Sequence, residues 1–370
     1  MIGPKGDIIL NENNENNYPP NYEPGDYAAR IEEKLYEQAD YKKLLFTLAM
    51  SVIGVTILVQ VAFAVAYGII VSITNQTDLG VFDQFVYMLE TSGVTNHVNE
   101  IAYALLWLMN DLVVYLIPML VFGYIFRKRM NHQKQGEPYE YKYYWVVPLF
   151  FAGIMLSNVA SIVTNVIAEI FSEAVGGEGL PDVFADVMPQ NNAELLIMLV
   201  TVGVVAPICE EIIYRHMLLK PLRRYGDFQA IVITSVLFGF FHGNLTQFLY
   251  ATIVGFVLGF AAVRANSVLP AIIIHSMNNV FAVLFSRFYE LSEAGSIQLS
   301  TEGISGIWIV VIITGLVSLV AMAVKGNLDV ENHNPYLSPR ERLRLTALRP
   351  SIIIMTVFLL LYTIVGTMII

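Results

Sequence analysis

Three short stretches of this 370-residue chain set groups capable of acid–base chemistry among apolar neighbours. They read Pro207-Ile208-Cys209-Glu210-Glu211-Ile212-Ile213-Tyr214-Arg215, Phe238-Gly239-Phe240-Phe241-His242 and His275-Ser276-Met277-Asn278-Asn279. Ionisable side chains in such surroundings are expensive, so each is a functional candidate to be weighed against a structural ion pair. Glu211 and Arg215 are four residues apart, which puts them on one helical face in the order that favours an acid-to-base pair. Glu210 is turned about 100° from Glu211, so the same arginine does not serve both. Glu210 is therefore the carboxylate left over, and a carboxylate without a counter-charge in an apolar bundle is a candidate general base.

His275 and Asn279 are also four apart, so an imidazole and an amide stack on one face as two hydrogen-bond donors aimed the same way. A lone histidine is ordinarily a satisfied core residue. Two histidines, an asparagine and an unpaired glutamate in neighbouring segments instead suggest a polar site. Counting along the helices puts Glu210 roughly 13 Å and His275 roughly 10 Å from the same membrane face, with His242 deeper at roughly 18 Å. The reach of His242 to Glu210 thus depends on tilt or on an interrupted helix. A zinc site built from a glutamate, His242 and His275 with water in the open position is an alternative, although His-Glu-x-x-His is absent. A non-catalytic cavity for peptide binding, immunity or transport is another.

The elements that carry these residues follow from composition. The chain is 56% hydrophobic and only 14% charged, about half the charged fraction of a soluble domain. Apolar runs long enough to cross a hydrocarbon core of about 30 Å recur near 44–73, 101–126, 144–171, 194–219, 246–264, 268–287, 307–324 and 351–370, with a short one near 229–243. No barrel-like alternation accompanies them, so the expected fold is an all-α polytopic bundle of about eight or nine spans. His242-Gly243-Asn244 breaks what would otherwise be one long stretch, as a short span or a re-entrant turn would.

Basic residues occur in alternate connections: Lys42-Lys43, Arg127-Lys128-Arg129, Lys220 with Arg223-Arg224, Arg264, and Lys325 with Arg340, Arg342, Arg344 and Arg349. The loops 74–100, 172–193 and 288–306 have no Lys or Arg. This pattern predicts a multi-pass protein of the cell membrane with a cytoplasmic N-terminus and an external C-terminus. Residues 1–43 read as a polar cytoplasmic tail, disordered to about residue 25, with a possible amphipathic helix over Tyr27–Lys43; the first span would act as an uncleaved insertion signal. The net charge of −10 gives no reason to expect nucleic acid as a partner. Cys209 is the single cysteine, which excludes an internal disulfide and cysteine-based zinc clusters. Asp111 beside Asn110 could line the same cavity as Glu210. Gly255 and Gly259 form a small-xxx-small packing face. The arginines of 340–349 read as an orientation signal and headgroup contact.

Glu-Glu-x-x-x-Arg, Phe-x-x-x-His and His-x-x-x-Asn on successive membrane helices resemble the CAAX protease and bacteriocin-processing (Abi) family of intramembrane endopeptidases, over about Pro207 to Val280. The paired Gly255 and Gly259, and Ser267-Val268-Leu269-Pro270, add to the likeness. The resemblance implies peptide-bond hydrolysis without a metal or other cofactor. Glu210 and His242 match the positions that activate water, and His275 and Asn279 those that stabilise the oxyanion. Glu211, Arg215 and Phe238 match supporting positions. The implied substrate is a peptide or membrane-protein tail, lipidated or not. The chain then divides into the tail 1–43, additional helices over 44–172, a catalytic core over 194–290 and C-terminal helices over 291–370.

Overall fold

The computed structural model describes residues 24–74, 81–91, 93, 97–131, 145–175, 189, 191–293, 301–325, 328–330 and 334–369. The helices in chain order are α1 (Pro24–Thr74), α2 (Val81–Thr91), α3 (Val98–Asp111), α4 (Ile117–Asn131), α5 (Val146–Val175), α6 (Asn192–Val200), α7 (Ala206–Glu211), α8 (Lys220–Arg223), α9 (Asp227–Phe241), α10 (Leu245–Ala265), α11 (Leu269–Glu293), α12 (Thr301–Val324), α13 (Pro339–Ala347) and α14 (Pro350–Ile369). No strand occurs among the described residues. Among the described residues eight helical stretches are long and apolar enough to cross a membrane, whereas α9, with 15 residues, is shorter. The protein is a multi-pass all-α membrane bundle, and its outer faces carry exposed apolar side chains such as Leu120, Val310, Val317 and Ile354. Lipid solvates such surfaces; water would not.

Among the described residues the helical ladder of the spans is widened in three places. Segments Leu112–Leu116, Thr201–Val205 and Ile212–Leu219 have π geometry and join α3 to α4, α6 to α7 and α7 to α8. Each ends two residues before a proline: Pro118, Pro207 and Pro221. Proline lacks an N–H and its ring collides with the carbonyl four residues back, and a widened turn relieves both problems without a break. The prolines thus explain why these spans stay continuous yet irregular.

The centre of the bundle is the α9–α10 hairpin. A Cβ on Gly255 would lie 3.1 Å from Phe238 Cδ1 and 3.2 Å from Ser235 Cα, and one on Gly259 would lie 3.2 Å from Ile231 Cγ2. The small-xxx-small face is therefore pressed against α9, and α5 packs on the other side of α10.

The basic connections gather at one end. Arg129 pairs with Asp40 at 2.6 Å, Arg224 with Glu37, Lys34 with Glu341 at 2.6 Å, and the Tyr225 hydroxyl donates to Asp40 at 2.5 Å. The Tyr27–Lys43 segment is not a separate helix but lies within the first part of the 51-residue α1, which supplies Lys34, Glu37 and Asp40 to those pairs. Residues 1–23, including most of the tail read as disordered, lie outside the described residues. α13 begins with a capping box between Ser338 and Glu341, and Lys34 with the Ser338 N–H holds the Glu341 carboxyl at about 2. The headgroup reading of this loop needs correction at Arg342. Its side chain is buried against Gly226, where a Cβ would overlap the guanidinium, while Arg340 and Arg344 are exposed. Arg342 ties α13 to the start of α9.

Because α10 meets α9 through backbone-level contacts, Gly255→Leu should destabilise the fold by about 1–3 kcal/mol through overpacking. Thermal unfolding in detergent checks this against Gly54→Leu, at a position where an added Cβ meets nothing within 4 Å.

Candidate active site

The fourth span starts at Asn191, whose side chain accepts from the backbone N–H of Ala193 and Glu194 at 2.9 and 3.0 Å. It carries the glutamate pair at the end of α7, between two widened turns. Arg215 Nε donates to Glu211 Oε2 at 2.8 Å, and neither side chain has any exposure. The i, i+4 pairing read from sequence is present. The other oxygen of Glu211 is also taken, with Oε1 lying 3.0 Å from His275 Nδ1. Sequence spacing had assigned His275 no bond to this carboxylate. Arg215 also reaches Thr234 Oγ1 at 3.4 Å, and its guanidinium sits 5.6 Å from the centroid of Phe238.

Glu210 points elsewhere. Its Oε1 accepts from the Tyr115 hydroxyl at 2.9 Å, while Oε2 is buried, has no hydrogen-bond partner and lies 3.8 Å from His275 Nε2. At 3.8 Å the imidazole is near but not bonded. Tyr115 is the residue that sequence reasoning missed. A tyrosine in an apolar span carries no signal of its own, and the available pointer was Pro118, which marks the widened turn where Tyr115 sits.

His242 follows the last turn of α9 as its C-cap. Its Nδ1 is 2.8 Å from the Phe238 carbonyl oxygen. A carbonyl only accepts, so Nδ1 carries the proton and Nε2 of the neutral ring keeps its lone pair. The Phe238 ring meets those of His242 and His275 edge-on, with centroids 5.0 and 5.6 Å away, and also meets Tyr214 at 5.0 Å. Phe238 is thus the wedge that spaces the two imidazoles. The extra depth expected for His242 does not separate it from Glu210. The short α9 ends in a tight turn inside the bundle, and both side chains line one cavity.

Asn279 Nδ2 donates one hydrogen to the Val202 carbonyl at 2.9 Å, which leaves its second N–H free. Val202 lies in the widened turn Thr201–Val205, where a displaced ladder leaves carbonyls available. The cavity measures about 420 Å³ and brings together Glu210, His242, His275 and Asn279, with Tyr115 and Tyr250 among its walls. Asn110 is among the lining residues and Asp111 is not. Cys209 is a free, half-buried thiol outside the lining. Among the described residues, no group of three or more His, Cys, Asp or Glu side chains is placed to hold a metal ion.

Residues 192–281, which supply all four of these polar groups, match the family model described as type II CAAX prenyl endopeptidase Rce1-like. The protein of Bacillus subtilis (strain 168) named "Putative membrane peptidase YdiL" is 25% identical over 204 residues, covering 54% of this chain and 80% of that protein. No solved structure matches the chain. The two matches support a membrane protease. Tyr115 comes from outside the Rce1-like segment, yet it donates to a carboxylate within it.

Glu211 is fully enclosed between two cationic or protic partners. Glu211→Ala should therefore strand Arg215 and destabilise the protein by about 3–5 kcal/mol, as breaking a buried pair does. Tyr115→Phe should leave the fold intact, because its loss opens no cavity. Melting temperature and yield of the two variants, measured side by side in detergent, check both statements.

Proposed function

We propose that the chain is an intramembrane endopeptidase in which Glu210 and His242 activate a water molecule and His275 and Asn279 stabilise the oxyanion. The observation that carries this reading is the asymmetry of the two adjacent glutamates. Both oxygens of Glu211 are bonded, whereas Glu210 presents a buried, unbonded Oε2 in the shared cavity. The family match over the same segment and the likeness to a membrane peptidase support hydrolysis as the reaction class.

In this mechanism Glu210 Oε2, aided by the His242 Nε2 lone pair, takes a proton from water. The resulting hydroxide attacks the scissile carbonyl carbon and the carbonyl π pair moves to oxygen. That oxyanion accepts from Asn279 Nδ2–H and from His275 Nε2–H. For His275 to donate there while Nδ1–H is held by Glu211, both ring nitrogens must carry protons. The formal charges of Glu210, Glu211, Arg215 and such an imidazolium sum to zero, which suits a buried cluster. The C–N bond then breaks as the proton from Glu210 passes to the leaving amine. The products are a carboxylic acid and an amine, which exchange that acid proton to become a carboxylate and an ammonium, and the general base is restored.

No step in this scheme uses a metal. The substrate is a membrane-associated or lipidated peptide, brought to a cavity with largely apolar walls. In this reading the end where the basic connections gather faces the cytoplasm of the cell membrane, an orientation supported by the alternation of Lys and Arg between connections.

The test uses purified full-length protein in liposomes, with a fluorogenic peptide carrying an S-farnesyl cysteine near its C-terminus and its unmodified counterpart. Glu210→Ala and His242→Ala should abolish cleavage with folding retained. Asn279→Ala should lower kcat by about 10²–10³, the usual cost of one oxyanion donor. Activity should survive a strong chelator; its loss, with recovery on adding zinc, would instead favour a zinc site. Undiminished cleavage by a clean Glu210→Ala preparation sinks the proposal. Comparing protein termini in cells that carry the native chain or Glu210→Ala then identifies natural substrates.

A further inference from the structure

The turn that presents His242 does not hold itself in place. Gly243 has φ +71°, in the left-handed region, so the chain leaves α9 in a conformation that other residues adopt only with strain. Asn244 then caps α10, accepting from Gln247 N–H at 2.8 Å and donating to the His242 carbonyl at 2.9 Å. One of the orphan N–H groups at the start of α10, that of Leu245, finds its acceptor 122 residues away: Thr367 Oγ1 of α14, at 2.8 Å. The Thr367 hydroxyl donates its own hydrogen to the Thr363 carbonyl at 2.8 Å, which turns a lone pair toward Leu245.

Tyr362, one helical turn before Gly366, packs against Gly243. A Cβ at 243 would lie 3.1 Å from the Tyr362 hydroxyl, and a Cβ on Gly366 would overlap the Gly243 carbonyl oxygen. Gln60 Nε2 of α1 donates to the Tyr362 hydroxyl at 2.8 Å, and both of those residues line the cavity. Three residues of α14, Tyr362, Gly366 and Thr367, therefore converge on residues 243–245, and α14 lies wholly outside the segment matched to the family model.

We propose that α14 is part of the proteolytic machinery: Gly366 and Thr367 are positioning residues that clamp the Gly243 turn and thereby hold His242 at the cavity. This rests on the assignment of His242 given above. Gly366 permits helix and turn to approach at backbone distance. Thr367 fixes the register by satisfying Leu245 N–H. A clamp of this kind acts on the orientation of the imidazole rather than on substrate binding, so it affects kcat and leaves KM alone.

The experiment compares full-length wild type, Thr367→Val, Thr367→Ser and Gly366→Ala in liposomes on the farnesylated fluorogenic peptide. Hydrogen exchange of the amides of residues 243–248 and the melting temperature are read in parallel. Valine keeps the shape of threonine but removes the acceptor. Thr367→Val is expected to lower kcat about tenfold with KM little changed, while those amides exchange about tenfold faster and the melting temperature barely moves; Gly366→Ala should act on kcat and exchange in the same direction and, because its Cβ would overlap the Gly243 carbonyl oxygen, also lower the melting temperature while the protein stays folded at the assay temperature. Thr367→Ser keeps the hydroxyl and should restore wild-type kcat and exchange. Unaltered kcat and exchange in Thr367→Val overturn the proposal, as does a loss that tracks global unfolding. If the wild-type chain is as inert as Glu210→Ala, the protease assignment fails, and exchange at 243–248 still decides whether α14 holds the turn.

Discussion

The buried carboxylate of Glu211 is the constraint on which the arrangement depends. In a bundle surrounded by lipid there is no solvent to accept an unpaired charge, and the penalty for leaving one is several kcal/mol per ion. Glu211 is therefore compensated on both oxygens, by Arg215 from the next turn of its own span and by His275 from α11. That second bond does more than neutralise. It brings α11 against α7, directs the Nε2 edge of His275 toward Glu210, and brings Asn279, one turn further along α11, over the fourth span. A pairing required for electrostatic reasons thus assembles the geometry that chemistry needs.

The widened turns supply what a regular helix could not. A uniform α-helix keeps its carbonyls engaged with its own N–H groups, so it has little to offer a neighbour. The prolines at 118, 207 and 221 disturb that ladder at three places, and each disturbed stretch contributes to the site: Tyr115 to Glu210, the Val202 carbonyl to Asn279, and Arg215 to Glu211. Irregular backbone is tolerated at this depth because it lies within protein or against a polar cavity rather than lipid.

What was legible in the sequence was what helical periodicity encodes. The 211/215 and 275/279 spacings, the number of long apolar runs and the small-residue face of α10 all depend on neighbours within one element, and the structure shows each of them. Contacts between elements were not legible. The bond from His275 to Glu211 spans 64 residues, that from Tyr115 to Glu210 spans 95, and that from Leu245 to Thr367 spans 122. No local pattern distinguishes such a tyrosine or threonine from the many that face lipid or their own helix. Depth counting along straight spans of equal rise left the reach of His242 to Glu210 open, and the interrupted helix it allowed for is present: α9 is short, and both side chains line one cavity. Arg342 was misread for a related reason, since a basic loop near a membrane ordinarily serves the headgroups and only tertiary contact reveals that this one is buried.

Two consecutive glutamates can have different duties only if something makes their environments different. Helical rotation does part of this, since the 100° between them turns one toward α11 and α9 and the other toward α3 and the cavity. The partners do the rest. Glu211 meets a guanidinium and an imidazole, so its charge is spent within the protein. Glu210 meets a phenol, which donates a single hydrogen bond and supplies no positive charge, so its second oxygen keeps its lone pairs open. A lysine or arginine in place of Tyr115 would erase that difference by turning the second glutamate into another structural ion pair. The neutrality of the donor on α3's widened turn is thus as important to the proposed chemistry as the charge of the arginine on the other side.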